Sequence, residues 1–516
     1  MIKMAIMLLA ALTLRILGIN WDQGFHLHPD ERMLIMVADR ISFFKNLNPV
    51  FFNYGSLPIY FLKGGAQLLD FFFKTELANY NGMLVLGRLL SAGFDILTII
   101  FIYKISRLLF KNTKIALFSS FFYSVAFFPI QNSHFFVVDV FLTTFTTILV
   151  YLLLIFLKSP TFKQTIKTGI IFAAMMATKF TAIIFLPVII GIIFYKTRKQ
   201  FYKFLFFLLI FHLSFFICHF LFMPYAYLDF GKFVLDIKQQ LAMNSNPWIF
   251  PYTLQYVGTV PYFYYLKNIF LWGLGPVISI LSLIGILKLK IESRLNREKI
   301  VFIGFYLFYF LIVGRSAVKF MRYMLPLYPL FAISASFGLY KVYKRFKVLA
   351  YLFILMILLW SFSFMNIYSQ THTRISATQW ILKNVPVGST LAVEHWDDRL
   401  PVFNGEDYKY EELTLYDQPD DEVKWKILDE KLRRADYIII ASNRLSVPLP
   451  KLANCSKYLR CFPKTNKYYK KLFNDKLSFR KAAEFSVSPL FLNDQSADES
   501  FTVYDHPKIV IFKRLH

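Results

Sequence analysis

The sequence predicts a polytopic all-α membrane domain followed by a small α/β domain, and three observations predict it. Of its 516 residues, 56% are hydrophobic, and 60 are Phe and 31 Tyr. Apolar runs of spanning or near-spanning length recur at 4–19, 83–103, 115–130, 136–157, 168–178 with 180–195, 203–222, 268–287, 300–313, 323–340 and 348–367. Beyond about residue 370 charges become frequent, the runs shorten, and Pro, Gly, Asn and Asp punctuate the chain. The expected division is therefore a membrane domain over 1–370 and a tail domain over 371–516.

The formal charge of +26 would point to nucleic acid in a soluble chain. Here the cations cluster in short loops between apolar runs. The clusters are Lys104 to Lys114, Lys158 to Lys167, Lys196 to Lys203, Lys288 to Lys299 (with Lys290 and Arg294), and Lys341 to Lys347. Placed together in the cytoplasm they satisfy the positive-inside rule, which removes the case for a nucleic-acid partner. The rule gives about eleven transmembrane helices, with the N-terminus inside and the active face and tail extracytoplasmic. Residues 168–195 carry basic clusters at both ends, so they are expected as a hairpin turning at Thr178-Lys179-Phe180. Segment 57–73 holds Pro58, Lys63 and Gly64-Gly65 and is expected as an interfacial helix within a first outer loop, 20–82. A second outer loop is expected over 223–267. The first apolar run reads as a retained span rather than a cleaved signal. Three cysteines imply no disulfide framework, although Cys455 and Cys461 are close enough to pair in an extracytoplasmic tail.

In the tail, Ser376 to Val385 reads as a helix ended by Pro386, and Thr390 to Val393 as a strand. Val423 to Arg434 reads as an amphipathic helix and Tyr437 to Ile440 as a buried strand. Thr502 to Tyr504 and Ile509 to Phe512 are expected as a final strand pair around Asp505-His506-Pro507.

The residues that could carry chemistry stand at the outer boundary of this topology. In His28-Pro29-Asp30-Glu31, two adjacent carboxylates follow directly on the first span, where charge is expensive without a use. Transfer of a group from a lipid phosphate to a hydroxyl needs a carboxylate to take a proton and a cation or metal to hold the phosphate. Arg88 lies a few residues inside a span and is placed to meet Asp30 or a phosphate. His134 and Asp139 begin the fourth span. Five apart on a helix, they would lie about 140° apart and need not share a ligand. Glu31 and Asp139 could serve a divalent metal, although the spacing does not demand one. Lys179, Arg315, Lys319 and Arg322 are outer-face cations in a chain that otherwise keeps its cations inside, which reads as a polyanion site. Tyr323 then opens a span interrupted by Pro326 and Pro329, a break tolerated where it lines a cavity. The bland alternatives are solvated loop acids, snorkelling cations and a plain external loop.

The order of these features resembles a known group. It comprises the acidic pair, Gly87-Arg-Leu-Leu-Ser-Ala, Ser133-His-Phe-x3-Asp139, Ala177-Thr-Lys-Phe-Thr-Ala, and Arg322-Tyr-Met-Leu-Pro-Leu-Tyr-Pro329. Together they resemble the glycosyltransferase C superfamily of family-39 type, which holds protein O-mannosyltransferases and lipid A aminoarabinose transferases. The resemblance implies an inverting transfer of mannose or a similar sugar from a polyprenyl-phosphate donor, in the membrane, to a glycan, lipid or protein acceptor. It implies Asp30 as base, with Glu31, Arg88 and Asp139 beside it. It maps Lys179 and Arg322 to the lipid-phosphate side. Tyr323, Arg315 and Lys319 join them as candidate donor-phosphate residues from the charge pattern, and His28 and His134 are the remaining candidates, toward the acceptor. The tail does not resemble the β-trefoil module of eukaryotic protein mannosyltransferases. A transporter or flippase of an anionic lipid or lipid-linked sugar is the rival reading of the same outer cations, but it predicts inverted repeats that the sequence lacks.

Overall fold

In the computed structural model, residues 2–292 and 296–515 are described. Arg294 of the fourth basic cluster lies outside them, and the side chain of Lys290 is likewise not described. The chain forms two compact units, one of 1–19, 28–244 and 260–362, the other of 20–27, 245–259 and 363–516.

The first unit is all-helical. It comprises α1 (Ile2–Ile16), α2 (Pro29–Arg40), α3 (Leu57–Phe73), α4 (Gly82–Phe110), α5 (Thr113–Val125), α6 (Phe127–Ser133), α7 (Val138–Lys158) and α8 (Phe162–Met176). These are followed by α9 (Leu186–Thr197), α10 (Phe201–Phe222), α11 (Tyr225–Leu228), α12 (Phe230–Ser245), α13 (Phe263–Asn268), α14 (Pro276–Glu292), α15 (Arg297–Val313), α16 (Tyr328–Arg345) and α17 (Lys347–Met365). Among the described residues, 6 helices are long and apolar enough to cross a membrane, or up to 7 if α5 and α6, bent by 59° at Ala126, form one span. The other expected crossings fall on shorter helices, α1, α8, α14 and α15. The chain is a multi-pass membrane protein.

Lipid-facing and buried positions separate as expected for a bundle in apolar solvent. α10 exposes Leu205, Leu209, Leu213, Phe216 and Leu221, whereas α7 is buried nearly all round. α14 and α16 meet backbone to backbone. A Cβ on Gly285 would lie 1.9 Å from the Ser334 carbonyl oxygen, and one on Gly338 would lie 2.1 Å from that of Leu281. Small residues at such a crossing permit the close approach that drives association where lipid offers no hydrophobic gain.

A second feature ties the bundle together. Arg15 Nε donates to Asp95 Oδ2 at 2.6 Å, Tyr123 Oη donates to Asp95 Oδ1 at 2.7 Å, and Arg15 Nη1 also reaches the Ala11 and Ser124 carbonyls. Arg15 and Asp95 are both fully buried. A charge at that depth is retained only when paired and hydrogen-bonded, so this network fixes α1, α4 and α5 to one another.

The outer loops expected from sequence are substantially helical. The 20–82 stretch contains α2 and α3, and the 223–267 stretch contains α11, α12 and α13. The expected turn of the 168–195 hairpin falls at Ala177–Lys179, between α8 and a 3-10 turn over Phe180–Phe185.

The second unit carries a five-stranded sheet ordered β2-β1-β3-β5-β4, from β1 (Thr390–Glu394), β2 (Lys409–Leu413), β3 (Tyr437–Ile440), β4 (Phe479–Phe485) and β5 (Ile509–Arg514). β1 runs parallel to β2 and β3, and β5 runs antiparallel to β3 and β4. Alternate residues face opposite ways. Leu391, Val393, Ile439 and Ile511 pack with Ala377 and Ile381 of α18 (Thr373–Asn384). Ala392, Ile438, Ile440 and Phe512 pack with Trp425 and Leu428 of α19 (Glu422–Arg434) and with Tyr468 and Tyr469 of α21 (Pro463–Phe473), which follows the short α20 (Pro448–Lys451). Cys455 and Cys461 form a disulfide.

The expected strand at Thr502–Tyr504 is instead a helical turn, α22 (Glu499–Thr502). Asp498 caps it by accepting from the Ser500 N–H at 2.8 Å, and this local bond outweighs the β preference of Thr502, Val503 and Tyr504. β5 pairs instead with β4.

His506 lies behind that turn, fully buried, with Nδ1 2.5 Å from Asp505 and Nε2 2.8 Å from Asp494. Tyr368 Oη donates to the other oxygen of Asp505 at 2.7 Å. Burial alone would push the imidazole down, but the two carboxylates reverse this and it is pushed up to about 10. A raised folded value contributes stability that is complete below the unfolded 6.5 and lost as pH rises through about 10. The protection of the β5 amides, taken relative to intrinsic base-catalysed exchange, should therefore fall progressively from neutral pH toward pH 10. His506→Ala, which strands two buried carboxylates, should cost about 3–5 kcal/mol at neutral pH and flatten that alkaline dependence.

Candidate active site

The acidic pair splits because it opens a helix. His28 caps α2, its Nδ1 accepting the Glu31 N–H at 3.3 Å, and Pro29 takes the first helical position. Adjacent helical residues point about 100° apart, so Asp30 and Glu31 meet different partners.

Glu31 turns inward. Arg88 of α4 grips it at both oxygens, Nε to Oε1 at 3.0 Å and Nη2 to Oε2 at 2.7 Å, and the Phe136 N–H donates to Oε1 at 2.8 Å. Arg88 Nη1 also donates to the Ile19 carbonyl at 2.8 Å. Both side chains are fully buried. The fork geometry ties the start of α2 to α4 and to the segment before α7.

Asp30 turns toward Arg322 and Tyr54. Its Oδ2 pairs with Arg322 Nη1, and Tyr54 Oη donates to Oδ1 at 3.2 Å. A quarter of the Asp30 side chain stays exposed. Burial raises its pKa, but Arg322, His28, Tyr54 and Lys179 together outweigh it and hold the carboxyl below its ordinary 3.8.

Asp139 stands in the first turn of α7 and binds Lys179 Nζ at 2.7 Å, with Arg322 Nε at 3.8 Å from its other oxygen. Lys179 lies over the ring of Tyr323 at 4.6 Å, and Tyr323 Oη donates to Asn244 of α12 at 2.8 Å. Arg322 is steadied over the ring of Phe320 at 4.7 Å. Asp30, Arg322, Asp139 and Lys179 thus form an alternating chain of charges.

Backbone packing sets this chain. The Gly55 and Leu57 N–H groups donate to the Thr178 and Ala177 carbonyls, both at 3.0 Å. A Cβ on Gly55 would fall 2.0 Å from the Ala177 oxygen, so only glycine lets this loop sit there. That contact delivers Tyr54 and Lys179 to one place.

Asp139, Lys179 and Arg322 of this chain of charges form the polar end of a cavity of about 240 Å3, with Asp30 behind Arg322. Tyr54, Asp139, Lys179, Arg322, Tyr323, Gln240 and Asn244 supply its polar groups. Leu142, Phe180, Ile184, Ile237, Leu241 and Ile312 continue it as an apolar wall. Tyr54, Gln240 and Asn244 had no signal in the sequence, because a tyrosine or amide in an aromatic-rich loop is common.

The remaining expected residues stand elsewhere. His134 is buried, with Nδ1 2.9 Å from the Ile130 carbonyl and Nε2 2.9 Å from that of Leu17, so it braces α6 against the end of the first span. Arg315 is exposed, and buried Lys319 donates to the Ala317 carbonyl at 2.9 Å; neither lines the cavity. The metal expectation meets an unsuitable donor set. Glu31 is engaged at both oxygens by Arg88, and Asp139 already faces Lys179 and Arg322. Among the described residues no three His, Cys, Asp or Glu side chains converge.

Comparison with known proteins finds a partial family match and similar folds. Residues 74–226 match the family of dolichyl-phosphate-mannose-protein mannosyltransferases. In fold, the chain is similar to ArnT from Cupriavidus metallidurans bound to undecaprenyl phosphate, with a TM-score of 0.53 at 11% identity over 98% of this chain and 97% of that one. It is also similar to the archaeal oligosaccharyltransferase AglB from Archaeoglobus fulgidus, in complex with an inhibitory peptide and a dolichol-phosphate. There the TM-score is 0.52 at 11% identity, over 99% of this chain and 88% of that one. No curated protein matches in sequence. The chain thus shares its fold with membrane glycosyltransferases of the AglB and ArnT kind, and residues 74–226 match the protein-mannosyltransferase family.

Proposed function

We propose that the protein transfers a sugar, mannose or a similar hexose or pentose, from a polyprenyl-phosphate donor to an acceptor hydroxyl at the extracytoplasmic face, with inversion. The observation that carries this reading is the cavity that joins Lys179 and Arg322 to an apolar wall. A lipid phosphate has that same division, a compact anion on a hydrocarbon chain. The family match and the lipid-phosphate-bound fold relatives support it. The Cys455–Cys461 pair supports an extracytoplasmic tail, since disulfides persist in oxidising compartments.

In this reading the donor phosphate enters between Lys179 and Arg322 and competes with Asp30 for the guanidinium. Once Arg322 turns to the phosphate, the pull that depresses Asp30 relaxes and its carboxylate becomes a better base. The acceptor oxygen then attacks the anomeric carbon, its proton passes to Asp30, and the bond to the phosphate oxygen breaks. Lys179 and Arg322 stabilise the charge left on the lipid phosphate. Asp139 positions Lys179, and the Glu31–Arg88 pair positions α2. The tail domain, proposed over 371–516, would help select the acceptor.

The test is to incubate the purified protein in lipid with radiolabelled polyprenyl-phosphate-mannose and a membrane extract. Consumption of the donor with label appearing in an acceptor supports the reading. Binding without consumption across a panel of lipid-linked sugars would overturn it. Lys179→Gln and Arg322→Gln should each raise the donor KM about 10- to 150-fold, the cost of one charge-assisted hydrogen bond. Arg322→Lys should recover little, because an ammonium cannot reproduce the fork.

A further inference from the structure

A second cavity lies at the far end of the same helices. Asp139 opens α7, and Ile155 follows sixteen residues later, about 24 Å along the axis. There α4, α7 and α8 enclose a cavity of about 620 Å3. Its wall is Phe101, Ile148, Leu152, Ile155, Ile170 and Ile171, and its rim carries three amines, Lys104, Lys163 and Lys167. Lys104 is held over the rings of Phe101 at 4.5 Å and Tyr151 at 5.8 Å. Among the described residues no carboxylate lines the cavity, in contrast to the candidate active site, where each cation faces an acid. Gln164 also lines it, and its Oε1 is buried with no hydrogen-bond partner among the described residues.

We infer that this cavity binds an anionic phospholipid with a hydroxylated headgroup, in the leaflet opposite the active site. Three lysines above an apolar wall, with no carboxylate beside them in the lining, match a phosphodiester on acyl chains, as basic pockets between membrane helices do generally. The orphaned Gln164 oxygen accepts a headgroup hydroxyl, which resolves a buried acceptor that would otherwise cost free energy. A soluble phosphate would use the lysines but leave the apolar wall and Gln164 unanswered. The bound lipid would pin α4, α7 and α8, the helices that carry Arg88 and Asp139 and lead into Lys179.

Native mass spectrometry of the full-length protein, released from detergent with equal phosphatidylglycerol and phosphatidylcholine, tests this. Wild type should retain one phosphatidylglycerol in preference to phosphatidylcholine, and Lys104→Ala/Lys163→Ala/Lys167→Ala should lose that adduct at least about tenfold. Lys196→Ala/Lys199→Ala/Lys203→Ala, which removes equal charge from another basic cluster, should leave it unchanged. Gln164→Leu keeps every lysine and should weaken phosphatidylglycerol about threefold while sparing phosphatidic acid, which has no headgroup hydroxyl. Equal retention of the adduct by wild type and the first triple variant would overturn the site. Equal retention of the two lipids by wild type would do the same. Displacement of the lipid by millimolar inorganic phosphate would show a phosphate-ion site rather than a lipid one.

Discussion

Asp30→Asn is expected to lower kcat about 10²- to 10⁴-fold, the range that a positioned general base contributes. Asparagine keeps the shape and the Tyr54 contact but cannot take the acceptor proton. It also removes the negative charge that Arg322 now faces. The variant should therefore bind polyprenyl phosphate at least as tightly as wild type while failing to turn it over. That split separates a catalytic loss from misfolding, which would weaken both. Because the Asp30 carboxyl is held below 3.8, wild-type kcat/KM, which reports the free enzyme, should show no acid limb from this group between pH 5 and 7. Arg322→Gln removes the main lowering partner, so it should move the Asp30 acid limb upward. An unchanged limb in that variant would detach Arg322 from the base.

The second large effect is on stability. Glu31→Ala leaves the Arg88 guanidinium fully buried with its chief partner gone, and should cost about 3–5 kcal/mol. Glu31→Leu/Arg88→Met replaces both charges with apolar groups of similar size. It should recover most of that loss, since a buried pair often contributes little net stability beyond an apolar substitute. Thermal unfolding of the purified variants in lipid reads both. If the double variant is no more stable than the sum of its singles predicts, the two residues are not coupled as the geometry requires. Activity in the stable double variant would then report how far α2 depends on this clamp to present Asp30.

Much of the site was legible because charge is rare in an apolar chain. Asp30, Glu31, Arg88, Asp139, Lys179 and Arg322 stand out against their neighbours by cost alone, and the structure gathers them around α2 and the start of α7. Their pairing was not legible. Sequence offered Arg88 to Asp30 or a phosphate, but helix geometry sends Glu31 to Arg88 and Asp30 to Arg322. Arg15 and Asp95 were passed over, one in the first span and the other a lone acid, because their contact closes over 80 positions. The cleft wall was hidden in a stretch expected as loop, where α12 supplies Ile237, Gln240, Leu241 and Asn244.

The tail shows the same division. Buried β3 was plain from Tyr437 to Ile440, four apolar residues in a row. Edge strands β2 and β4 were not, because Glu411, Glu412, Arg480 and Lys481 give them the charged faces that protect sheet edges.

The most direct test of the account is a cryo-EM map of the protein in a lipid nanodisc with undecaprenyl phosphate. Phosphate density should lie within hydrogen-bond reach of Lys179 and Arg322, with the Asp30–Arg322 contact lengthened. The prenyl chain should run past Leu142, Ile184 and Ile312. Lipid phosphate bound elsewhere, with Asp30 and Arg322 still paired and the cleft filled by another group, would contradict it.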